Sequence, residues 1–416
     1  MKRYILYLAV FLAIFSIRFY FDNNNLNKAK ASLPQETQTH VFEVRDDPEN
    51  KFFMTKIIAI DKNLNQRMIL KGNSETSSKL LAFKVGDSFE AIGYFLPLNE
   101  YDNYLYQQHV VGEFKVEELK NVHASNNIIE NLSTYVRTTV TNGCARLSTN
   151  TQGICEGILI GEKSHISKET YDKYKRAQLT HLLVASGANI VFILAFLSPL
   201  LKRLKLRPRF ILMCVIAVLY CVITRFEPSI LRACVMVCLP SIAKVRGYRI
   251  NELKIFMFSI ATCLLIDSFL LLRVGFWLST FATGGLYFLT PRIKNHIHSE
   301  LIASTLAATI AVQPVLWMAF GFSWPFKWPI SVVAISLAEP LSTLGFVGIS
   351  FSSYLDITNS ISFLITKLME GGCSLLNLTA SLGESTFSSF FGAIISLCIV
   401  FRLCSKYQKK KNESTL

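Results

Sequence analysis

The stretch that decides the fold is His181-Leu182-Leu183-Val184-Ala185-Ser186-Gly187-Ala188-Asn189, which opens an apolar run that ends at Lys202. Polar groups in a segment of membrane length are costly, so they usually face a protein interior or a water-filled path. Positions 181, 185 and 189 repeat at helical spacing, and we expect His181, Ala185 and Asn189 to share one stripe of a helix. Ser186 and Gly187 flank that stripe with little bulk, so they can admit another backbone or let the helix open.

The composition of the chain is that of a membrane protein. Hydrophobic residues make up 51% and charged residues 17% of the 416 residues, and soluble domains carry roughly 25% charged residues. The net charge of +14 is unevenly distributed: residues 22–176 carry 19 Lys+Arg against 20 Asp+Glu, and residues 177–416 carry 21 against 9. Much of that excess lies between apolar segments, so it indicates membrane topology before it indicates a nucleic-acid partner.

About ten apolar segments predict a polytopic α-helical membrane protein. The first forms a predicted anchor over residues 1–21, for which a cleavable signal peptide is the alternative. The other nine are roughly 180–201, 210–224, 229–243, 254–272, 274–290, 301–320, 328–350, 359–380 and 385–403.

Basic loops set the predicted orientation. If Lys2 and Arg3 lie inside, the chain returns to the cytoplasmic side after every even-numbered segment. Four basic clusters follow these segments, as expected for cytoplasmic loops. We therefore expect a cytoplasmic N-terminus, residues 22–176 outside, and a basic cytoplasmic tail at 404–416. Segment 359–380 is the weakest predicted span because it contains Lys, Glu and a Gly pair, and the alternative places it along the interface.

Residues 38–120 have the pattern of a small extracytoplasmic β domain. Alternating apolar residues separated by Gly, Asn, Asp and Ser predict five strands, and five short strands suit a compact OB-like barrel. OB-folds often bind single strands by stacking bases on aromatic rings, although the near-neutral charge here speaks against DNA contact. The candidate stacking residues are Tyr94, Tyr101, Tyr104 and Tyr106.

Residues 121–178 are predicted to be a helical connector, followed by a multi-helix membrane domain over 179–403. The connector holds Cys144 and Cys155, while the other eight cysteines lie at or beyond Cys214. If the connector faces an oxidising compartment, a disulfide between Cys144 and Cys155 is possible.

The order of motifs along the chain resembles the ComEC family of competence proteins. Gly157-Ile158-Leu159-Ile160-Gly161, a charged link and the His181–Gly187 stretch follow one another as in that family. Further matching segments occur in the same order. These are Leu98–Leu105, Glu227–Ala233, Gly275–Ala282, and Gln313-Pro314 followed by Phe320–Ser323.

This resemblance implies a membrane channel that passes DNA, as one strand, into the cytoplasm during natural transformation. It also implies that the chain acts with other competence proteins, namely a DNA receptor, a cytoplasmic translocation ATPase and a separate nuclease, and it allows a homodimer. The alternatives are a secondary transporter of a small solute, such as an anion, and an outer-facing scaffold with a degenerate pore. No inverted repeat of the transporter kind is evident in the sequence.

Several basic and polar residues are candidates for a DNA path besides the 181–189 stretch. Guanidinium geometry suits phosphates, whereas the alternative for each arginine is snorkelling to lipid headgroups or pairing with Glu227. Gln313 precedes a proline at membrane depth, which frees a carbonyl upstream. The path candidates outside the stretch are Arg225, Arg232, Arg273, Gln313 and Lys327.

The sequence predicts no enzymatic activity and no cofactor. Ser186 lacks the glycine two residues earlier that a nucleophile elbow requires, and the printed sequence contains no Walker A lysine motif. It ends at Leu416 without the metallo-β-lactamase-like domain of many family members. Its densest histidine cluster, His296-Ile297-His298-Ser299-Glu300, is expected to be solvated rather than metal-binding.

Overall fold

The computed structural model describes residues 2–34, 36–46, 48–51, 54–99, 105–248, 251–297, 299–320, 328–352 and 360–384. The chain divides into two compact units. The first unit contains a β-barrel with helical segments, and the second is helical within those ranges. Their bounds are Met1–Thr138, Ala217–Pro240 and Lys254–Arg273 for the first, and Thr139–Ile216, Ser241–Leu253 and Val274–Leu416 for the second.

The barrel of the first unit has the connectivity of an OB-fold. β1 pairs with both β3 and β5, which closes the sheet on itself, while β4 runs parallel to β6. Helix α2 (Ser74–Leu81) lies between β4 and β5, and β2 only extends β3. This confirms the predicted OB-like barrel. The strands are β1 (Gln38–Val44), β2 (Glu49–Lys51), β3 (Met54–Asp61), β4 (Gln66–Gly72), β5 (Ser88–Leu96) and β6 (Val110–His123).

Strict alternation builds the barrel core. Every second residue of β5 is buried, so Phe89 and Phe95 meet Phe114 of β6 inside the barrel. Burying one such side chain contributes roughly 1.5–3 kcal/mol. Gly93 is required in β5 because a Cβ there would lie 2.0 Å from the carbonyl oxygen of Lys115. The ladder between β5 and β6 shifts register at this point.

Helix α1 (Lys2–Ala31) runs past the end of the predicted 1–21 anchor. Its later turns pack Leu26 into the barrel core, and Asp22 accepts a hydrogen bond from Ser268 Oγ at 2.6 Å. Three consecutive asparagines in this region are poor helix formers. Tertiary contacts therefore override local propensity here.

The predicted connector over 121–178 contains the end of β6 and three helices, α3 (Ile128–Cys144), α4 (Thr149–Ile160) and α5 (Lys168–Arg176). The helices that follow are α6 (Gly187–Leu201), α7 (Leu206–Ile223), α8 (Pro228–Val245), α9 (Glu252–Ile266), α10 (Val274–Phe288), α11 (Thr290–Lys294), α12 (Glu300–Phe320), α13 (Trp328–Ser352) and α14 (Ser360–Glu384).

Among the described residues, three helices are long and apolar enough to cross a membrane: Leu206–Ile223, Pro228–Val245 and Glu300–Ala319. Two shorter apolar helices are Gly187–Leu201 and Pro329–Thr343. The count of ten spans therefore stays a prediction. Segment 385–403 and the tail at 404–416 lie outside the described residues.

The predicted segment 254–272 is interrupted. Helix α9 ends at Ile266, and Asp267 caps a new 3₁₀ turn over Ser268–Leu272 by accepting a hydrogen bond from the Phe269 backbone N–H at 2.9 Å. Phe269 then enters the barrel core. The apolar residues on both sides of Asp267 predicted one continuous segment. The Asp267 side chain instead accepts the backbone hydrogen bond that starts a new turn.

Candidate functional site

The polar stretch of the second unit breaks before its helix begins. His181 lies in a 3₁₀ turn (Thr180–Leu182), and α6 starts only at Gly187 with Ser186 in an extended N-cap conformation. The predicted helical stripe through His181, Ala185 and Asn189 is therefore wrong. Serine favours the N-cap over the helix interior because its side chain competes for backbone hydrogen bonds. His181 is exposed, whereas Ala185 and Asn189 are buried.

Asn189 ties this break to the preceding motif. Its side-chain Nδ2 donates to the backbone carbonyl of Ile158 at 2.8 Å, and its Oδ1 accepts from Ser186 Oγ at 3.1 Å. Ile158 lies in the last turn of α4, where carbonyls have no partner within the helix. The two motifs of the resemblance thus meet through one buried amide.

Glycines on α4 make this approach possible. A Cβ at Gly157 would lie 2.6 Å from the carbonyl oxygen of Leu183, and one at Gly153 would lie 2.4 Å from that of His165. Gly161 ends the helix in the left-handed conformation, with φ of 75°. Glycine at every fourth position lets other backbones reach one face of a helix. The spacing of Gly153, Gly157 and Gly161 was the overlooked signal for this packing.

The second overlooked feature is a buried carboxylate on α4. The Glu156 side chain is fully buried, its Oε2 lies 2.6 Å from His165 Nδ1, and its Oε1 accepts from Gln152 at 2.9 Å. Burial raises the pKa of Glu156, and the contacts with Gln152 and His165 act in the opposite direction. Beside it lies a cavity of about 140 Å³, lined in part by His165, Ser164 and Thr149. In the sequence, a single glutamate between apolar residues was the signal for this buried carboxylate.

The structure brings Cys144 and Cys155 together. Their sulfur atoms lie 2.9 Å apart, and both are buried free thiols. Hydrogen bonding with Cys144 and burial raise the pKa of Cys155, while a contact with Cys373 acts in the opposite direction. The disulfide itself stays a prediction.

Arg273 in the first unit is engaged with the barrel. Its Nε donates to the backbone carbonyl of Gln107 at 3.0 Å, and Nη2 donates to Asp267 at 3.2 Å. His109 Nε2 lies 2.9 Å from the other oxygen of Asp267. Burial alone would raise the pKa of Asp267, but His109 and Arg273 hold it below its usual range. These contacts give Arg273 a positioning role that the sequence did not show.

Arg232 and Arg225 also belong to the first unit. Arg232 lies in the second turn of α8, is 4% exposed, and directs Nη1 at the sulfur of Met236 at 3.7 Å. Arg225 lies in the turn before α8, where it and Phe226 both have positive φ, 56° and 54°. Two adjacent non-glycine residues in this region store strain.

The remaining candidates are distributed as follows. Gln313 is buried in α12, which continues unbroken across Pro314.

The ring of Tyr106 lies against Phe269 and beneath the Lys30 ammonium, 4.8 Å from its centroid, so it is not a free stacking platform. Tyr94 is half-buried with Lys115 over its ring. Four further candidates lie outside the described residues: Tyr101, Tyr104, Lys327 and His298. Among the residues that the structure describes, no group of three or more potential metal ligands occurs.

The junction of the two motifs lies within the part of the chain that matches a known family. A sequence model described as "Competence protein" matches residues 158–407, more than half of the chain. The chain belongs to the competence protein family. This confirms the resemblance drawn from the order of the motifs.

One curated competence relative is similar over much of the chain. It is ComE operon protein 3 of Bacillus subtilis (strain 168), 25% identical over 302 residues, which cover 71% of this chain and 36% of the relative. The chain thus spans little more than a third of that relative's length. No solved structure matches the chain.

Replacing Asn189 with Leu should destabilise the second unit, because the Ile158 carbonyl loses its donor in a buried place. Such a loss costs about 1–3 kcal/mol, which would lower the melting temperature of the detergent-solubilised protein. Asn189→His keeps a ring N–H and should recover part of the loss. The matched control is Ala188→Leu at the exposed neighbouring position, which should melt as wild type. Equal melting of Asn189→Leu and wild type would contradict the bracing role of Asn189.

Cys144 and Cys155 should form a disulfide in cells that oxidise the compartment holding the connector. A bridge between them would stabilise the protein by roughly 2–3 kcal/mol if unstrained. Mass spectrometry of peptides from non-reduced membranes, alkylated before digestion, measures it. In the control variant Cys144→Ser, Cys155 should be alkylated. Alkylation of both thiols in the wild-type chain would show that no bridge forms.

Proposed function

We propose that the chain is a channel that passes DNA, as a single strand, across the cytoplasmic membrane during natural transformation. Membership of the competence protein family supports this, as do the long apolar helices and the OB-type barrel. The observation that carries the proposal is the motif junction held by Asn189, since it lies in the family region and places small polar residues at the start of an apolar helix. A transporter of small solutes would have no use for the barrel.

The proposed topology follows the distribution of charge. The N-terminus and the basic tail lie in the cytoplasm, and residues 22–176 lie outside, with about ten spans in the inner membrane. Positive charge at one set of loops supports this orientation. The expected partners are the incoming DNA, the lipid bilayer, a DNA receptor, a translocation ATPase that supplies the energy, and a separate nuclease. A second copy of the chain is a further proposed partner.

The chemistry of the candidate residues suits a polyanion. In the second unit, Ser186, Gly187 and Gln313 offer small or neutral polar groups, which contact a moving strand without holding each phosphate tightly. Asn189, whose amide binds Ser186 and the Ile158 carbonyl, positions Ser186 beside this path. In the first unit, Arg232 supplies a fixed positive charge at membrane depth, where its cost implies an anionic partner or water. Of the other arginines, Arg273 has the weaker claim because Asp267 and Gln107 occupy its donors.

Deleting the gene in a competent host should abolish entry of DNA into the cytoplasm while surface binding of DNA persists. A channel acts after capture, so the two steps separate. Labelled DNA measures both: total cell-bound label, and label protected from added nuclease. Complementation with the wild-type gene is the control. Undiminished protected label would reject the DNA channel, and loss of growth on one anionic solute with normal DNA entry would favour the transporter.

Removing the charge of Arg232 should slow DNA uptake by about tenfold, equivalent to roughly 1.4 kcal/mol of lost stabilisation. Because Arg232 is buried, Arg232→Ala would also remove packing, so Arg232→Met is the better variant: it keeps the volume and loses the charge. Arg232→Lys should restore part of the rate. The control is Lys205→Met in a basic loop. Wild-type uptake by Arg232→Met at equal membrane abundance would leave Arg232 a packing residue.

A further inference from the structure

Helix α3 presents exposed apolar side chains along one flank. Ile128, Leu132 and Tyr135 are 82%, 47% and 57% exposed. At 3.6 residues per turn these three side chains fall within about 60° of one another around the helix axis. The opposite face, with Ser133 and Arg137, is buried. Within Ile128–Tyr135, the first two turns of the helix, the apolar residues are thus the exposed ones.

The buried face fastens α3 to the end of a candidate membrane span. Arg137 Nη1 donates to the backbone carbonyl of Ile223 at 2.9 Å, and Ser133 Oγ donates to that of Val222 at 3.4 Å. These carbonyls close α7, the most apolar of the three candidate spans. The last carbonyls of a helix have no partner within it. A helix bound to them lies at the depth where the span leaves the hydrocarbon.

The other end of α3 is fastened to the barrel. Glu130, in its first turn, accepts a hydrogen bond from Arg45 Nη1 at 2.9 Å. Ser125 Oγ lies 3.3 Å from the second oxygen of the same carboxylate. The two charged residues of α3, Glu130 and Arg137, therefore both point into the protein. This leaves the outward surface of the helix without charge, which does not suit a nucleic acid or an acidic partner.

The outward surface is divided into two flanks. Asn131 and Thr138 are exposed about 100–120° away from Leu132 around the helix axis, so one outward flank is polar and the other apolar. This is the arrangement of a helix that lies in the plane of a membrane surface. Phe226, 53% exposed in the turn after α7, adds an aromatic ring at the same end of that span.

We propose that α3 lies in the headgroup region of the lipid bilayer, with Ile128, Leu132 and Tyr135 toward the acyl chains. Because α3 binds both the barrel and the end of α7, it holds the barrel against the membrane surface. The lipid surface is favoured over a second protein copy by the continuity of the apolar flank with a span end and by the polar flank beside it. The proposal requires membrane insertion but no DNA transport.

Photo-crosslinking of the full chain in vesicles of phosphatidylcholine and phosphatidylglycerol tests the proposal. Leu132→p-benzoylphenylalanine and Tyr135→p-benzoylphenylalanine place the probe on the apolar flank, and Thr138→p-benzoylphenylalanine is the matched control on the polar flank. All three sites are exposed, so the fold tolerates the probe. After irradiation, mass spectrometry should show several-fold more phospholipid attached at positions 132 and 135 than at 138.

Three outcomes would overturn the proposal. Crosslinks from 132 and 135 to a second copy of the chain would make this flank a dimer interface. Equal lipid attachment at all three positions would show that the flank with Leu132 and Tyr135 does not face the acyl chains, and attachment at none of them would show that α3 stands clear of the membrane surface. None of these outcomes depends on DNA uptake, so a failure here and a failure of the proposed channel are distinguishable.

Discussion

The second unit depends on one hydrogen bond, from the Asn189 amide to the carbonyl of Ile158. The last carbonyls of a helix cannot be satisfied within it, and leaving a buried carbonyl unsatisfied costs about 1–3 kcal/mol. The amide removes that cost for α4 and, through Ser186, also fixes where α6 begins. The glycines of α4 follow from the same constraint, because only a face without side chains lets the backbone of Leu183 come close enough.

The first unit solves the problem of helix ends in a similar way, with different residues. Arg137 and Ser133 cover the last carbonyls of α7, and Asp267 caps the turn that follows α9. Arg273 and His109 in turn hold Asp267 against the loop that leads into β6. Charged and polar side chains near these helices thus satisfy backbone groups that the helices leave without partners.

The partners of each arginine limit which of these side chains can contact DNA in the proposed channel. An arginine that donates to two partners, as Arg273 does, has little capacity left for a passing phosphate. The capacity of a charged side chain thus follows from its neighbours and not from its residue type alone.

The sequence by itself determined the barrel, the apolar helices and the family. Strand alternation shows in short stretches of sequence, and the OB-like architecture that it predicted was confirmed. The sequence allowed a disulfide between Cys144 and Cys155, and the tertiary structure places their sulfur atoms 2.9 Å apart. Only the tertiary structure decided where helices break. His181 does not lie on the predicted helical stripe because Asn189 binds a carbonyl 31 residues away. Segment 254–272 is interrupted because Phe269 enters the barrel core. Such contacts join positions far apart in the chain, and no local period records them.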